Sequence, residues 1–335
     1  MQIQYNLSLK PYNTFGINVI AKLFAAFNSV QQLIELLENN TDTTLIIGGG
    51  SNILFTKNFD GLVLKNELKG IELICEDDEH YYIKVAAGEV WHQFVLYCIH
   101  NNYNGIENLS LIPGNVGASP MQNIGAYGVE IKDTFYELEA LHIQEKTIVK
   151  FNNSDCAFGY RESIFKGKFK NQFIILNVTF KLHKKNIFNH SYGAIQQELD
   201  KMKVTALSAK AISDAVISIR STKLPNPAII GNAGSFFKNP VIAKTQYHKL
   251  LQQFPKLPGY NDKDDTIKIP AAWLIEFCGW KGFRKNDVGC HTNQALVLVN
   301  YGNATGLEIY NLSQDIINDV YNKFSILLQR EVNII

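Results

Sequence analysis

Ile47-Gly48-Gly49-Gly50-Ser51-Asn52 and Ile112-Pro113-Gly114-Asn115-Val116-Gly117-Ala118-Ser119-Pro120-Met121-Gln122-Asn123-Ile124-Gly125-Ala126-Tyr127-Gly128 are the stretches from which the fold is read. The first follows Thr43–Ile47, which reads as a buried strand. Three consecutive residues without Cβ let the backbone curl tightly and bring its N–H groups close to an anion. Ser51 and Asn52 add side-chain hydrogen bonds. A nicotinamide-type turn needs G-x-G-x-x-G, and Ile53 stands where its third glycine would be. A Walker A loop fails as well, because no GK[ST] occurs. Taken alone, a glycine-rich turn without a ligand is an equal alternative. The second stretch again offers close backbone approach, with a compact surface loop as its plain alternative. Two such cradles suit a dinucleotide pyrophosphate gripped from two sides.

Outward from these stretches the chain alternates. Residues 29–39 carry Val30, Leu33, Ile34, Leu36 and Leu37 at helical spacing, with Ser29 as N-cap. Ile53–Phe55, Leu62–Leu64 and Tyr81–Ala86 read as strands, and Val90–His100 as a helix. Phe135–Ile143 and Phe173–Leu182 have sheet patterns. Ser208–Arg220 returns to helical spacing through Ile212, Ala215, Val216 and Ile219. Leu224-Pro225-Asn226-Pro227 breaks the chain, which places a domain boundary near residue 220. Pro255–Thr266 is loop-rich and precedes a helix at Ala271–Cys278. A C-terminal helix takes Leu307, Tyr310, Ile316, Ile317, Val320, Phe324 and Leu327 on one face, and Glu331–Ile335 reads as extended. No repeat or low-complexity tract is visible.

At 335 residues the chain is long for one core. Single cores stop growing at roughly 250–300 residues, so two or three domains are expected. Lys plus Arg (32) nearly cancel Asp plus Glu (31), and no basic stripe stands out, so nucleic acid is not an expected partner. Any anionic ligand must then be held by local cations. No apolar run approaches the ~20 residues that span a bilayer, so no membrane partner is expected. The start Met1-Gln2-Ile3-Gln4-Tyr5 shows no signal peptide. Cys75, Cys98, Cys156, Cys278 and Cys290 lack CxxC spacing, which argues against disulfides and zinc and for a reducing cytoplasm. The histidines show no HxH or HExxH pattern. Cys290-His291 alone is not a metal site, so none is expected.

The chain resembles the UDP-N-acetylenolpyruvoylglucosamine reductase family over nearly its whole length. The matching residues begin with Leu9-Lys10-Pro11-Tyr12-Asn13-Thr14-Phe15-Gly16 and the two glycine-rich stretches. They continue through FGYRESIFK (158–166), SYG (191–193), RSTKLPNP (220–227) and GNAGSFFKNP (231–240). AAWLIEFCGWKG (271–282), HTNQALVLVN (291–300) and Glu331 complete the series. The Tyr-Arg-x-Ser form and the Tyr192 segment resemble the family's longer type, with a tyrosine-bearing insertion over the substrate site. The resemblance implies an α+β, vanillyl-alcohol-oxidase/p-cresol-methylhydroxylase-like FAD-binding fold. It has two FAD-binding subdomains, expected at 1–68 and 69–219, and an α+β substrate-binding domain at 220–302. The segment 303–335 is expected to return to the second subdomain.

The implied activity is FAD-mediated, NADPH-dependent reduction of UDP-N-acetylglucosamine enolpyruvate to UDP-N-acetylmuramate, for peptidoglycan. Such a site must stabilise an enolate-like dianion and then protonate it. By resemblance Arg161 binds the carboxylate, for which a permanently charged, bidentate guanidinium is suited. Ser235 is the proton donor, a weak acid facing a strongly basic carbon. Glu331 is the third catalytic residue, acting either protonated or by orienting Arg161 or a water. Asn333 stands near it where a basic residue is expected. FAD is expected to be non-covalent, on Gly48, Gly49, Gly50, Ser51, Asn52, Pro113, Gly114, Gly117, Ala118, Asn123, Gly125 and Tyr127. Lys223, Asn239, Tyr260, Lys281 and Gln294 resemble contacts to the substrate, and Tyr192 the tyrosine that closes over it. The expected state is a cytoplasmic monomer. Two other readings stay open at this point. One is an FAD oxidase or dehydrogenase of another alcohol or sugar, and the other a non-catalytic flavin-binding protein.

Overall fold

The computed structural model describes residues 2–190 and 192–335; Met1, and Ser191 of the Ser191-Tyr192-Gly193 match, lie outside the described residues. The chain forms two compact units. The first comprises Met1–Leu7, Ala21–Gly49 and Asp60–Ser221, and the second Ser8–Ile20, Gly50–Phe59 and Thr222–Ile335.

In the first unit, strands Gln4–Ser8, Ile20–Phe27, Phe59–Asn66 and Thr44–Ile47 make one sheet in that order. The last two run parallel, with Thr44 opposite Leu62 and Ile47 opposite Lys65. Helix Val30–Glu38 starts where Ser29 accepts a hydrogen bond from the Gln32 N–H, and it buries Leu33, Leu36 and Leu37. These residues share a core with Ala25, Phe27, Leu62 and Leu64, and also with Leu141, Ile174 and Leu176 of a second sheet. That second sheet is antiparallel, in the order Ile148–Asn152, Phe135–His142, Phe173–His183, His80–Ala86 and Ile71–Glu76. Helix Trp91–His100 lays Trp91, Phe94, Val95 and Cys98 into its core. There Phe180 packs 5.8 Å from Trp91 and 5.1 Å from Phe94 between ring centroids. Helices Gly193–Lys201 and Ala209–Lys223 bury Ile195, Leu199, Ile212, Ala215, Val216 and Ile219 together.

The second unit holds a sheet of Gly231–Ser235, Val297–Asn300, Val288–Cys290 and Arg284–Lys285, and a smaller one of Val241–Ala243, Thr266–Lys268 and Tyr260–Asn261. Helix Gly306–Phe324 opens on a capping box between Thr305 and Glu308. It packs on strands Val288–Cys290 and Val297–Asn300.

In the first unit the buried residues of helix Val30–Glu38 share their core with Leu141, Ile174 and Leu176 of the antiparallel sheet. Residues 303–335 lie in the second unit, where helix Gly306–Phe324 packs on its sheet and Asn333–Ile334 pairs with Ile53–Leu54. The C-terminal helix is shorter than its sequence pattern suggests. It ends at Phe324, where Ser325 turns left-handed at φ 55°. Leu327 therefore lies beyond it, and Leu307 is off the buried stripe of Ile309, Ile316 and Val320. Both leucines are exposed.

The Leu9–Gly16 match has a structural reason. Asn13 is buried, donates through Nδ2 to the Leu9 and Ile17 carbonyls at 2.7 and 3.0 Å, and accepts from the Ile17 N–H at 2.9 Å. One amide thus closes the loop from Leu9 to Ile17. Asn13→Ala is expected to cost about 2–3 kcal/mol through stranded backbone groups. Thermal unfolding with amide exchange at Ile17 checks it, and an unchanged exchange rate there would show the loop closes without Asn13.

Candidate active site

Gly48 and Gly49 of the first glycine-rich stretch meet the second stretch in the first unit. An ideal Cβ on Gly49 would stand 2.9 Å from Asn115 Oδ1 and 3.2 Å from Gly114 Cα, and one on Gly48 would lie 3.2 Å from Asn115 Cβ. Only glycine allows that approach. Asn115 is fixed in turn by Nδ2 donating to the Gly88 carbonyl at 2.8 Å. Gly117 packs on Ala87, and its N–H donates to the Ala87 carbonyl at 3.0 Å. Pro113, Gly49 and Ala118 are exposed along this line. The successive N–H groups of Gly49, Gly50 and Ser51 donate to no protein acceptor among the described residues. A glycine turn exposed at Gly49, with unspent N–H donors, is the chemistry a pyrophosphate requires, so the residues present fit a dinucleotide.

Arg161 stands at the corner of a turn in which Gly159 and Glu162 exchange backbone hydrogen bonds. Its φ of +55° is left-handed, a conformation costing a non-glycine residue roughly 1–2 kcal/mol. The guanidinium reaches back to the second glycine stretch. Nη2 donates to the Gly125 carbonyl at 2.6 Å and Nη1 to the Asn123 carbonyl at 3.4 Å. Ser163 secures the same turn by donating to the Met121 carbonyl at 2.7 Å. Asn123 is fully buried, and its amide is engaged by Glu130, the Gly159 carbonyl and the Lys132 N–H. Its side chain is therefore scaffold, and what it can offer a ligand is backbone.

Two residues here had no role assigned from sequence. Arg220 donates through Nε to the Leu111 carbonyl at 3.2 Å, and His92 Nδ1 accepts from the Leu111 N–H at 3.0 Å. Together they clamp the entry to the second glycine stretch. Burial, then the charge of Arg220, pushes the His92 pKa down, so its imidazole is neutral and free to accept. Burial also lowers Arg220, opposed by its interactions with Tyr127, while Arg161 adds like-charge repulsion. Burial raises the Tyr127 phenol. Tyr127 meets Tyr192 edge to face, 5.5 Å between centroids, with Tyr192 itself half exposed. A signal for Arg220 was present: it falls at i+8 and i+4 from Ile212 and Val216, a cation on a buried helical stripe.

In the second unit the chain end runs beside Ser235. Glu331 N–H donates to the Phe236 carbonyl at 2.8 Å, and Asn52 Nδ2 donates to the Glu331 carbonyl at 3.4 Å. Ser235, Glu331 and Asn52 are thus brought together. The Ser235 hydroxyl makes no hydrogen bond to protein among the described residues. Gly50 is held through its carbonyl by the Thr14 N–H at 3.1 Å.

The expected substrate contacts are more scattered. Lys223 is exposed at the end of its helix. Lys281 pairs with Glu276 at 3.0 Å. Tyr260 is 64% exposed. Gln294 Oε1 accepts from the Leu296 N–H at 3.3 Å. Asn239 Oδ1 accepts from the Ala271 N–H at 2.9 Å and so caps helix Ala271–Phe277, a structural duty the sequence did not reveal. All five cysteines are free thiols. Among the described residues no three His, Cys, Asp or Glu side chains gather to hold a metal, and no helix is long and apolar enough to cross a membrane.

A model of the FAD binding domain matches residues 23–151, over both glycine-rich stretches, and together with the chain's reductase relatives it makes the protein a flavin-dependent oxidoreductase. The model of the UDP-N-acetylenolpyruvoylglucosamine reductase C-terminal domain matches residues 226–335. UDP-N-acetylenolpyruvoylglucosamine reductases of Flavobacterium johnsoniae and Amoebophilus asiaticus are 52% and 53% identical, each over 100% of both chains. That of Pseudomonas savastanoi pv. phaseolicola is 46% identical over 100% of this chain and 99% of its own. The chain belongs to the UDP-N-acetylenolpyruvoylglucosamine reductase family. The solved reductase of Thermus caldophilus has the same fold, with a TM-score of 0.69 over 100% of this chain and 99% of that one, at 20% identity.

Gly49→Ala is expected to lower FAD content at least about tenfold, because the 2.9 Å contact forces the two loops apart. The ratio of flavin to protein absorbance after desalting measures it. Retention of full flavin with an unchanged melting temperature would show that the cradle is not where FAD binds.

Proposed function

We propose that this chain reduces the enolpyruvyl ether of UDP-N-acetylglucosamine enolpyruvate to UDP-N-acetylmuramate, with FAD bound non-covalently and NADPH as hydride donor. The observation that carries the proposal is the pairing of the chain end with the strand of Ser235, which brings an unpartnered hydroxyl and a terminal carboxyl side chain into one segment. Bound FAD supplies a two-electron carrier between NADPH and the carbon–carbon double bond. The residues supply the rest. As hydride reaches the terminal carbon, negative charge builds at its neighbour and spreads into the substrate carboxylate. Arg161 binds that carboxylate and stabilises the charge. The Ser235 O–H gives its proton to the carbon, and the resulting alkoxide is reprotonated from water. Glu331 acts as a neutral acid or by orienting a water.

Lys223, Lys281 and Tyr260 are assigned to the UDP diphosphate, with Asn239 and Gln294 as further contacts. Lys281 would exchange an exposed carboxylate partner for phosphate, at small cost because exposed ion pairs are weak. Tyr192 closes over the substrate from its edge-to-face contact with Tyr127. Residues 220–302 are assigned to substrate, and residues 1–68 and 69–219 to flavin. The working state is taken as a cytoplasmic monomer.

Anaerobic mixing of the reduced enzyme with the enolpyruvyl substrate tests the reaction. Flavin should reoxidise with formation of UDP-N-acetylmuramate, whereas oxygen-driven turnover of an alcohol would point to an oxidase. Ser235→Ala should leave flavin reduction by NADPH intact and slow reoxidation by substrate by roughly 10²–10⁴-fold. A normal rate of that half-reaction would remove Ser235 as donor. Glu331→Gln separates the two roles of Glu331 better than truncation, which would also remove the strand at Asn333–Ile334. Near-normal turnover in Glu331→Gln means that a neutral hydrogen-bonding group suffices, and loss means that the carboxyl group itself is needed, as acid or as carboxylate.

A further inference from the structure

Ser235 follows directly on a β-bulge. Asn232 lies opposite Val299 and Ser235 opposite Val297, so one strand takes three steps where its partner takes two. The extra residue falls at Ala233-Gly234, and Gly234 has φ +70°. A bulge of this kind bends its strand and re-aims the side chain beside it. A Cβ on Gly234 would meet nothing within 4 Å, so the glycine is required for its backbone angle and not for want of room.

Asn232 holds this bulge. It is 4% exposed. Its Oδ1 accepts from the Gly234 N–H at 3.0 Å, while Nδ2 donates to the Ile230 and Pro225 carbonyls at 2.8 and 3.1 Å. Its own N–H donates to the Thr14 carbonyl at 3.0 Å. Both amide hydrogens and the amide oxygen are used, so the side chain has one satisfactory orientation. On the other side of Ser235, the Phe236 N–H donates to the Leu296 carbonyl at 2.7 Å and the Phe236 carbonyl accepts from Glu331. The backbone is thus pinned before and after Ser235, while the hydroxyl between is left to a reaction partner.

We infer that Asn232 is a positioning residue: by holding the Gly234 N–H it sets the bulge that aims the Ser235 hydroxyl. This rests on the proposed role of Ser235 as proton donor. Displacing a reacting group by about 1 Å can cost ~10²-fold in rate. A residue of this kind therefore acts on the protonation step and not on binding.

The test uses FAD-loaded enzyme in anaerobic stopped flow, with Asn232→Ala, Gly234→Asn, Gly234→Ala and Ser235→Ala beside the parent. Asn232→Ala should slow reoxidation by the enolpyruvyl substrate roughly 10–100-fold. Flavin reduction by NADPH, and the substrate dissociation constant from the oxidised flavin spectrum, should move less than about threefold. The slowed step should show a larger solvent deuterium isotope effect than in the parent. Gly234→Asn should keep more activity than Gly234→Ala, because asparagine tolerates the left-handed region better. That order keeps the test open if Asn232→Ala does not fold. Wild-type reoxidation in Asn232→Ala overturns the inference, as does an equal loss in binding, flavin reduction and reoxidation. Equal activity of the two Gly234 variants also counts against it. Wild-type reoxidation in Ser235→Ala refutes the proton-donor assignment and takes the inference with it, and a parent enzyme that is not reoxidised refutes the reaction itself.

Discussion

Residues 329–335 are held by backbone hydrogen bonds on two sides, and the second unit is organised around that constraint. Lys238 N–H donates to the Gln329 carbonyl at 2.9 Å, and Glu331 N–H to the Phe236 carbonyl. Past Val332, which is buried, the tail changes partner. Asn333 N–H donates to the Asn52 carbonyl at 3.1 Å, Ile335 N–H to the Leu54 carbonyl at 2.9 Å, and the Ile335 carbonyl accepts from the Thr56 N–H at 2.8 Å. Chain ends ordinarily fray because few contacts resist their entropy. This one is stitched between a strand near residue 236 and another near residue 53, and Arg330 adds hydrogen bonds to Ser313 and Gln314 on the preceding helix. Glu331 is ordered because everything on both sides of it is.

The sequence was most legible where one local rule decides. The helices at Val30–Glu38 and Trp91–His100, and the strands at Thr44–Ile47 and Phe173–His183, follow from periodicity and lie where it placed them. The tight turn at Gly48–Gly50 was legible for the same reason, since three adjacent residues without Cβ allow close backbone approach. Partnership between distant segments was not. Nothing in Leu141, Ile174 or Leu176 says that they share a core with the helix of Leu33 and Leu37. Nothing in the tail says that it pairs with residue 53. Short strands such as Gly231–Ser235, rich in glycine and polar residues, carry no β pattern, because neighbours and not propensity make them strands. Asn13 and Asn232 show the same limit. Each is an amide spent on a loop or a bulge, and from sequence alone either could as well have faced a ligand.

The first unit carries an electrostatic tension that its net charge hides. The whole chain is nearly neutral, at +1, yet Arg161 and Arg220 are close enough for the charge of one to lower the pKa of the other. Arg220 is mostly withdrawn from water, and burial is the larger cause of its shift. Arg161 is placed at a backbone angle that costs free energy as well. Like charges, burial and strain all oppose folding, and a protein under selection for stability alone would remove them. Their retention around a glycine stretch with its carbonyls turned toward Arg161 is intelligible if negative charge arrives there, since an anion converts the repulsion into attraction in a low-dielectric setting. The neutral His92 fits the same logic. A charged imidazole would add a third cation and would lose the Leu111 N–H that it accepts, so burial keeps it uncharged and the loop entry stays clamped. Positive charge is thereby concentrated on two guanidiniums whose positions are set by contacts to the backbone carbonyls of Asn123, Gly125 and Leu111.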